Sequence, residues 1–363
     1  MKLSEKEIEQ IALGASLLGT GGGGDPHVGK LMALQAVKKH GPVDLIKVED
    51  VPDDALVVPA AMMGAPTVLV EKIPNGNEFI KAFEELGSFL GKKVFATFPI
   101  EAGGVNSMIP IAVAANLGLP IVDCDGMGRA FPELQMVTFH LFGETASPMV
   151  LADEKGNSVI LNTISNKWAE NLARNLVVEM GGEAMISIYS LTGKQLKRAA
   201  IRNILSYSAE IGKLIMETQA SKEDTTEQLI KKIKGFKLFK GKITDILRKT
   251  TSGFNFGTAK IDGIEENKGN HFSIEFQNEN LIAKKDDCVL ASVPDLICIL
   301  DLETATPITT EALKYGRRVT VIGIPCDEKW RTEKGIETVG PRYFGYDIDY
   351  VPVEKLIEGG VSK

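Results

Sequence analysis

The sequence is poor in the residues that announce the commonest chemistries. Its 363 residues include only four cysteines, Cys124, Cys288, Cys298 and Cys326, with no CxxC pair among them. That spacing excludes a zinc cage of the usual kind and a disulfide framework, and it reads as cytoplasmic thiols. There are four histidines, His27, His40, His140 and His271, and no HxH or HExxH spacing, so no metal signature is present. No basic block occurs, and a net charge of −7 with a pI near 5.4 argues against nucleic acid or an anionic membrane as partner. The longest mostly apolar stretch, Ile109 to Val122, is interrupted by Asn116 and is too short to span a bilayer. The start, MKLSEKEIEQ, is charged and lacks the apolar centre of a signal peptide, so the expected location is cytoplasmic.

What is present is an ordinary globular balance, 44% hydrophobic and 25% charged, in a chain long enough for about two domains. Ser4 and Glu7 form a capping-box pattern ahead of Ile8, Ile11, Ala15 and Leu18, which predicts a first helix. GTGGGGDP follows, and Asp25-Pro26 is the start signal of a second helix to about Lys39. Strands are expected at Asp44–Val48, Ala55–Pro59, Lys93–Phe98 and Pro120–Asp123, and helices at Asn77–Leu90 and Asn106–Leu117. Strand–helix–strand spacing of this kind implies a parallel pair with a right-handed crossover.

Further strands are expected at Gln135–Phe142, Pro148–Ala152, Ser158–Thr163 and Ala184–Tyr189, and helices at Trp168–Glu179 and Lys194–Glu217. Ala220–Glu227 reads as a linker. Beyond Phe236 the chain is strand-rich, at Lys240–Leu247, Phe254–Asp262, His271–Phe276, Leu281–Ala283, Cys288–Leu300 and Arg317–Ile324. The predicted architecture is α/β: an N-terminal domain, 1–168, with a partly parallel sheet and flanking helices. A smaller C-terminal domain, 169–363, would comprise a helical connector, 169–235, and a β-rich part, 236–363.

Three constellations can carry chemistry. Gly21, Gly22, Gly23 and Gly24 run into a helix N-terminus, a seat for a carboxylate or phosphate, or else a plain turn between helices. Asp25 reads first as the cap of that helix, and His27 in its first turn is within reach of the same seat. Glu101-Ala-Gly-Gly-Val-Asn106 lies past the end of a predicted parallel strand, where open α/β sheets bind ligands. Glu101 suits a base or a metal ligand; Asn106 suits a polar contact or a helix cap. Asp123-Cys-Asp-Gly-Met-Gly-Arg129 with Glu133 is the third, its two acids alternating about Cys124. Arg129 can grip a substrate carboxylate or pair with Asp125. The flanking carboxylates disfavour a Cys124 thiolate. Near the C-terminus, Gly340–Asp347 pairs aromatic groups with arginine, as a lid or as interdomain packing.

LGTGGGGDP (18–26), EAGGVNS (101–107), GLPIVDCDGMGRAFPELQM (118–136), PDLICILDLETATPITTEALKYGRRV (294–319) and GPRYFGYDIDYVP (340–352) resemble the S-methyl thiohydantoin desulfurase family, which is hydantoinase-like. The resemblance covers nearly the whole chain and implies two domains and action on a five-membered imidazolidinone ring. Small apolar residues usually stand in that family where this chain has Cys124, Cys298 and Cys326, which speaks against a cysteine mechanism.

The resulting expectation is hydrolysis at C2 of an S-substituted thiohydantoin, releasing a thiol and leaving a hydantoin. Asp123 or Glu101 would act as base, with Asp125 as partner. Arg129, Gly21–Gly24, Asp25, His27, Asn106 and Glu133 would hold the small-molecule substrate. A divalent metal held by the acids would serve equally, by lowering the pKa of water. The rivals are ring-opening hydrolysis of a hydantoin, with ATP and a partner subunit, and a non-catalytic ligand-binding subunit. A homo-oligomer or a hydantoinase-like partner is the expected assembly.

Overall fold

The computed structural model describes residues 1–64, 68, 76–221, 224–251 and 253–359. In chain order the first strands are β1 (Lys2–Leu3), β2 (Val43–Ile46), β3 (Leu56–Gly64), β4 (Val94–Phe98), β5 (Ile121–Val122) and β6 (Cys124–Asp125). They are followed by β7 (Met149–Ala152), β8 (Ser158–Leu161), β9 (Glu183–Ser187), β10 (Leu191–Thr192) and β11 (Ile201–Arg202). A nine-stranded sheet has the order β1-β2-β5-β4-β3-β9-β7-β8, with β10 added on β3. Strands β2, β5, β4 and β3 are parallel, and the flanking pairs are antiparallel.

The helices Asn77–Leu90 and Ile109–Leu117 supply the crossovers between β3, β4 and β5, as their spacing predicts. β9 and β10 come from beyond residue 168, so residues 183–187 and 191–192 of the expected connector add strands to the first sheet.

The second sheet is wholly antiparallel: β12 (Phe236–Thr251), β13 (Phe254–Gly263), β14 (His271–Gln277), β15 (Glu279–Lys285), β16 (Cys288–Ser292), β17 (Leu296–Asp301) and β18 (Arg318–Ile324). Its order is β16-β15-β14-β13-β12-β18-β17, and it curls until β15 and β16 approach β17. Two apolar cores result. The larger lies under the first sheet and extends onto Leu281, Val293, Leu296 and Ile322 of the second, so the domains share it. The smaller sits within the curl, around Phe239 and Phe272, whose rings stack with centroids 4.7 Å apart.

Four expected elements change. The single strand expected over Cys288–Leu300 is two, β16 and β17, parted by residues 293–295. Gln135–Phe142 is not a strand: Thr138–Leu141 forms a short helix, because Phe139 must turn in against Phe98 and Tyr189. The long helix expected over Lys194–Glu217 breaks at Ala200–Asn203, where β11 pairs with β6 and Asn203 takes a φ of 63°. The Ala220–Glu227 linker is helical on both sides, with 222 and 223 outside the described residues.

The helices Glu5–Leu18 and Ile204–Ser221 cross with their backbones in contact. A Cβ at Gly14 would stand 1.9 Å from the Ser208 carbonyl oxygen, and one at Gly212 1.9 Å from that of Gln10. Alanine in an exposed helix interior gains about 1 kcal/mol over glycine, but here the backbones would have to separate. Gly14→Ala is therefore expected to lower stability by about 1–3 kcal/mol, measured by urea unfolding.

Candidate functional site

A narrow cleft opens at the C-terminal ends of β3 and β4, where a parallel sheet exposes loops rather than ladder. Its floor is Ala61–Gly64 of β3 with Ile100 and Glu101 just past β4, and its near wall is Met127 and Phe131–Leu134. Gly23 and Gly24 form one side, while Asn278 and Glu279 enter from the second sheet. The site thus lies between the two domains.

Glu101 is 5% exposed. Asn106 Nδ2 donates to its Oε1 at 2.6 Å and the Phe131 amide to its Oε2 at 3.3 Å. Asn106 is itself fixed on β3, accepting from the Met62 amide at 2.8 Å and donating to the Met62 carbonyl at 3.3 Å. Burial raises the Glu101 carboxyl to about 7, against the opposing pull of the Asn106 and Phe131 hydrogen bonds and the Arg129 charge.

The glycine loop explains how two loops and a second domain meet there. A Cβ on Gly23 would fall 2.4 Å from Gly103 Cα, and one on Gly22 2.0 Å from Glu279 Oε1. The Gly23 carbonyl accepts from Val105 N at 2.8 Å, and the Thr20 and Gly21 carbonyls accept from Asn280 N and Thr310 N, each at 2.8 Å. Gly21 and Gly22 are thus filled by the second domain, and only Gly23 and Gly24 line the cleft. Asp25 is the helix cap, accepting from His27 N and Val28 N. That occupies the helix N-terminus, and the exposed His27 side chain is not part of the cleft wall.

The DCDGMGR turn sits behind the wall. Asp123 lies outside the cleft lining: its Oδ1 accepts from Leu205 N at 2.9 Å and Ser206 N at 3.2 Å, capping the helix after the break at Asn203. Asp125, 0% exposed, spends both oxygens on Gly128 N at 2.9 Å, and burial holds its carboxyl well above the ordinary range.

Among the described residues no carboxylate stands within hydrogen-bond distance of Arg129, and it is not part of the cleft lining. Its Nε donates to Ala130 O at 2.9 Å. Its Nη1 donates to Pro294 O at 3.0 Å and Asp295 O at 2.8 Å, and its Nη2 to Thr20 Oγ1 at 2.9 Å and Asn280 O at 3.3 Å. All five guanidinium donors are thereby used, three of them on carbonyls of the second domain. Burial lowers it to about 10, and the nearby Glu279 opposes the fall.

At the mouth, Glu133 accepts from Lys167 Nζ, Gln135 Nε2 and, at 2.7 Å, Tyr343 Oη. Burial raises its carboxyl, but these bonds outweigh it and hold the group below the ordinary range. Through Tyr343 the Gly340–Asp347 segment reaches the rim.

Sequence reasoning missed Glu279 and Arg174. Glu279 is 3% exposed, and among the described residues its Oε2 has no hydrogen-bond partner. Burial, then the charge of Glu101, pushes its carboxyl well above the ordinary range. Nothing in the polar turn Gln277-Asn-Glu-Asn280 marks one acid as buried. Arg174 lines the wall, pairing with Glu170 at 2.7 Å and donating to Pro132 O at 2.9 Å.

None of the four thiols lines the cleft, and three of them are buried. Burial raises Cys124 well above its usual value, with Asp125 and Asp123 adding to the effect, and raises Cys298 and Cys326 to about 12. His140 Nδ1 accepts from Asn166 Nδ2 at 2.9 Å and is not part of the cleft lining. Among the described residues no group of three or more His, Cys, Asp or Glu side chains is arranged to hold a metal ion. No helix among them is long and apolar enough to cross a membrane.

Residues 6–163 match the family profile described as S-Me-THD-like, N-terminal domain, and residues 164–353 match its C-terminal domain. A crystal structure of a protein from Chromobacterium violaceum has the same fold, with a TM-score of 0.82 at 22% identity, covering 97% of this chain and 100% of that one. No curated protein matches the chain.

Two outcomes are expected. Glu101 holds a proton in the folded state between its ordinary 4.5 and about 7 that the unfolded chain has lost. Its contribution to stability is therefore fully present below 4.5 and is lost as pH rises through 7. Wild type should lose stability relative to Glu101→Gln across that window, read by denaturant unfolding at a series of pH values. Arg129→Lys leaves buried carbonyls unpaired and should cost more than about 2 kcal/mol, whereas Asp123→Ala should cost about 1 kcal/mol, the worth of a helix cap. Thermal unfolding ranks the two.

Proposed function

Because the chain belongs to the S-Me-THD-like family, we propose that it hydrolyses an S-substituted thiohydantoin at C2, releasing a thiol and leaving a hydantoin. The observation that carries this reading is Glu101: a buried carboxyl in a cleft, oriented by Asn106 and Phe131 N, with its ionisation moved to about 7.

C2 of such a ring is amidine-like and electrophilic. Attack by water needs a base that is ionised at neutral pH yet basic enough to take a proton, and a carboxyl raised toward 7 meets both demands. An ordinary surface carboxylate is ionised but too weak a base. Asp123 and Asp125, the acids the motif suggests first, are committed to backbone amides and stand outside the lining. We therefore assign the base to Glu101. The apolar walls, Met62, Met63, Met127, Phe131, Ile186 and Ile188, suit a flat heterocycle and keep the attacking water apart from bulk solvent.

The test is a screen of S-alkyl thiohydantoins and hydantoins with purified protein, reading free thiol with a chromogenic disulfide and ring opening by mass spectrometry. Thiol release with an intact hydantoin ring is expected. Ring opening without thiol would favour the hydantoinase reading, and tight binding without turnover a ligand-binding subunit. Since Glu101 must be ionised, kcat/KM should rise as pH passes through about 7. Glu101→Gln should lower kcat at least about 100-fold and abolish that limb.

A further inference from the structure

We propose that Glu279, contributed by the second domain, is the catalytic acid that works opposite Glu101, so that the cleft is complete only when the two domains are docked. The proposal deepens the hydrolytic reading and rests on it.

Glu279 lies in the cleft lining with Glu101 and is 3% exposed. One oxygen is packed against Gly22, where any side chain would collide with it, and the other has no partner among the described residues. An unpartnered oxygen in a buried carboxyl is costly. It is tolerated where it serves a ligand. The charged and titratable groups around the pair are Arg129 behind both, Asp125 near Glu101, and Glu311 near Glu279 with Asp25 beyond it; Glu133 and Arg174 also line the cleft, each in its own ion pair, with Lys167 and with Glu170.

Arg129 supplies one positive charge. With Glu101 ionised and Glu279 protonated the cluster is neutral; with both ionised an unbalanced anion would remain in a low-dielectric interior. Asp125 and Glu311 are likewise held above the ordinary carboxyl range, first by burial.

This arrangement closes the chemistry. In the first half, Glu101 takes a proton from water as the O–C2 bond forms; the C2=N electron pair moves to nitrogen, which takes the proton of Glu279. In the second half, the new hydroxyl gives its proton to the Glu279 carboxylate as the carbonyl forms. The C2–S bond breaks, and sulfur leaves with the proton held by Glu101. Water and the S-substituted ring become hydantoin and thiol, and both carboxyls return to their starting states with no outside proton.

The experiment uses the full chain. Side-chain carboxyl NMR on protein labelled in glutamate should show a buried carboxyl still protonated at neutral pH, absent from Glu279→Gln and present in Glu311→Gln. Glu279→Gln should keep the wild-type unfolding transition, lower kcat at least about 100-fold, and lose the alkaline limb of the pH–rate profile, while Glu101→Gln loses the acid limb. A Glu279 carboxyl that is ionised at neutral pH in wild type overturns the proposal whatever the kinetics. Wild-type thiol release that Glu279→Gln retains also overturns it, leaving the Glu101 reading intact. No thiol release by wild type overturns the reaction and the role of Glu279 with it.

Discussion

The structure depends on the burial of one guanidinium. Arg129 is 0% exposed and spends every N–H on carbonyl or hydroxyl oxygens of loops drawn from both sheets. A buried charge of this kind is tolerated only when each donor is met, so the loops carrying Thr20, Asn280, Pro294 and Asp295 must converge on it together. The glycine loop permits that convergence, because at Gly22 and Gly23 no Cβ would fit between the neighbouring loops. Trp330, fully buried, adds a second tie, donating to Met127 O at 2.8 Å and packing edge-on to Phe131.

The cleft follows from this joint. The loops that meet at Arg129 are those whose outer surfaces carry Glu101, Met127, Phe131 and Glu279. The positive charge behind the wall lets a carboxyl ionise in a buried place, while burial keeps carboxyl ionisation far above its solvent value. A buried cation and two buried acids therefore arise from one packing arrangement, and its charge balance sets which acid keeps the proton.

Much of the fold was legible. The crossovers around Asn77–Leu90 and Ile109–Leu117, the cap at Asp25 and the strand-rich character of the second domain all follow from periodicity and turn residues. Glu101 and Asn106 were legible because a polar turn past a parallel strand has a fixed place in such sheets. The misreadings share one cause. Gln135–Phe142 and Lys194–Glu217 carry strand-like or helical patterns that long-range partners override: Phe98 and Tyr189 for the first, β6 and the Asp123 carboxylate for the second.

By itself the sequence determined most of the elements, the first-domain loops that border the cleft, and the resemblance that the matching N- and C-terminal family domains bear out. Only the tertiary structure decided which acids face the cleft. In the motif, Asp123, Asp125 and Arg129 look like a site, but Asp123 and Arg129 are engaged by groups distant in the chain and Asp125 by Gly128 N within its own turn. Glu279, in an unremarkable turn, is carried to Glu101 by docking of the second sheet. A side chain's chemistry depends on which of its hydrogen bonds remain unmade and how much water surrounds it, and both are set by residues far away in sequence.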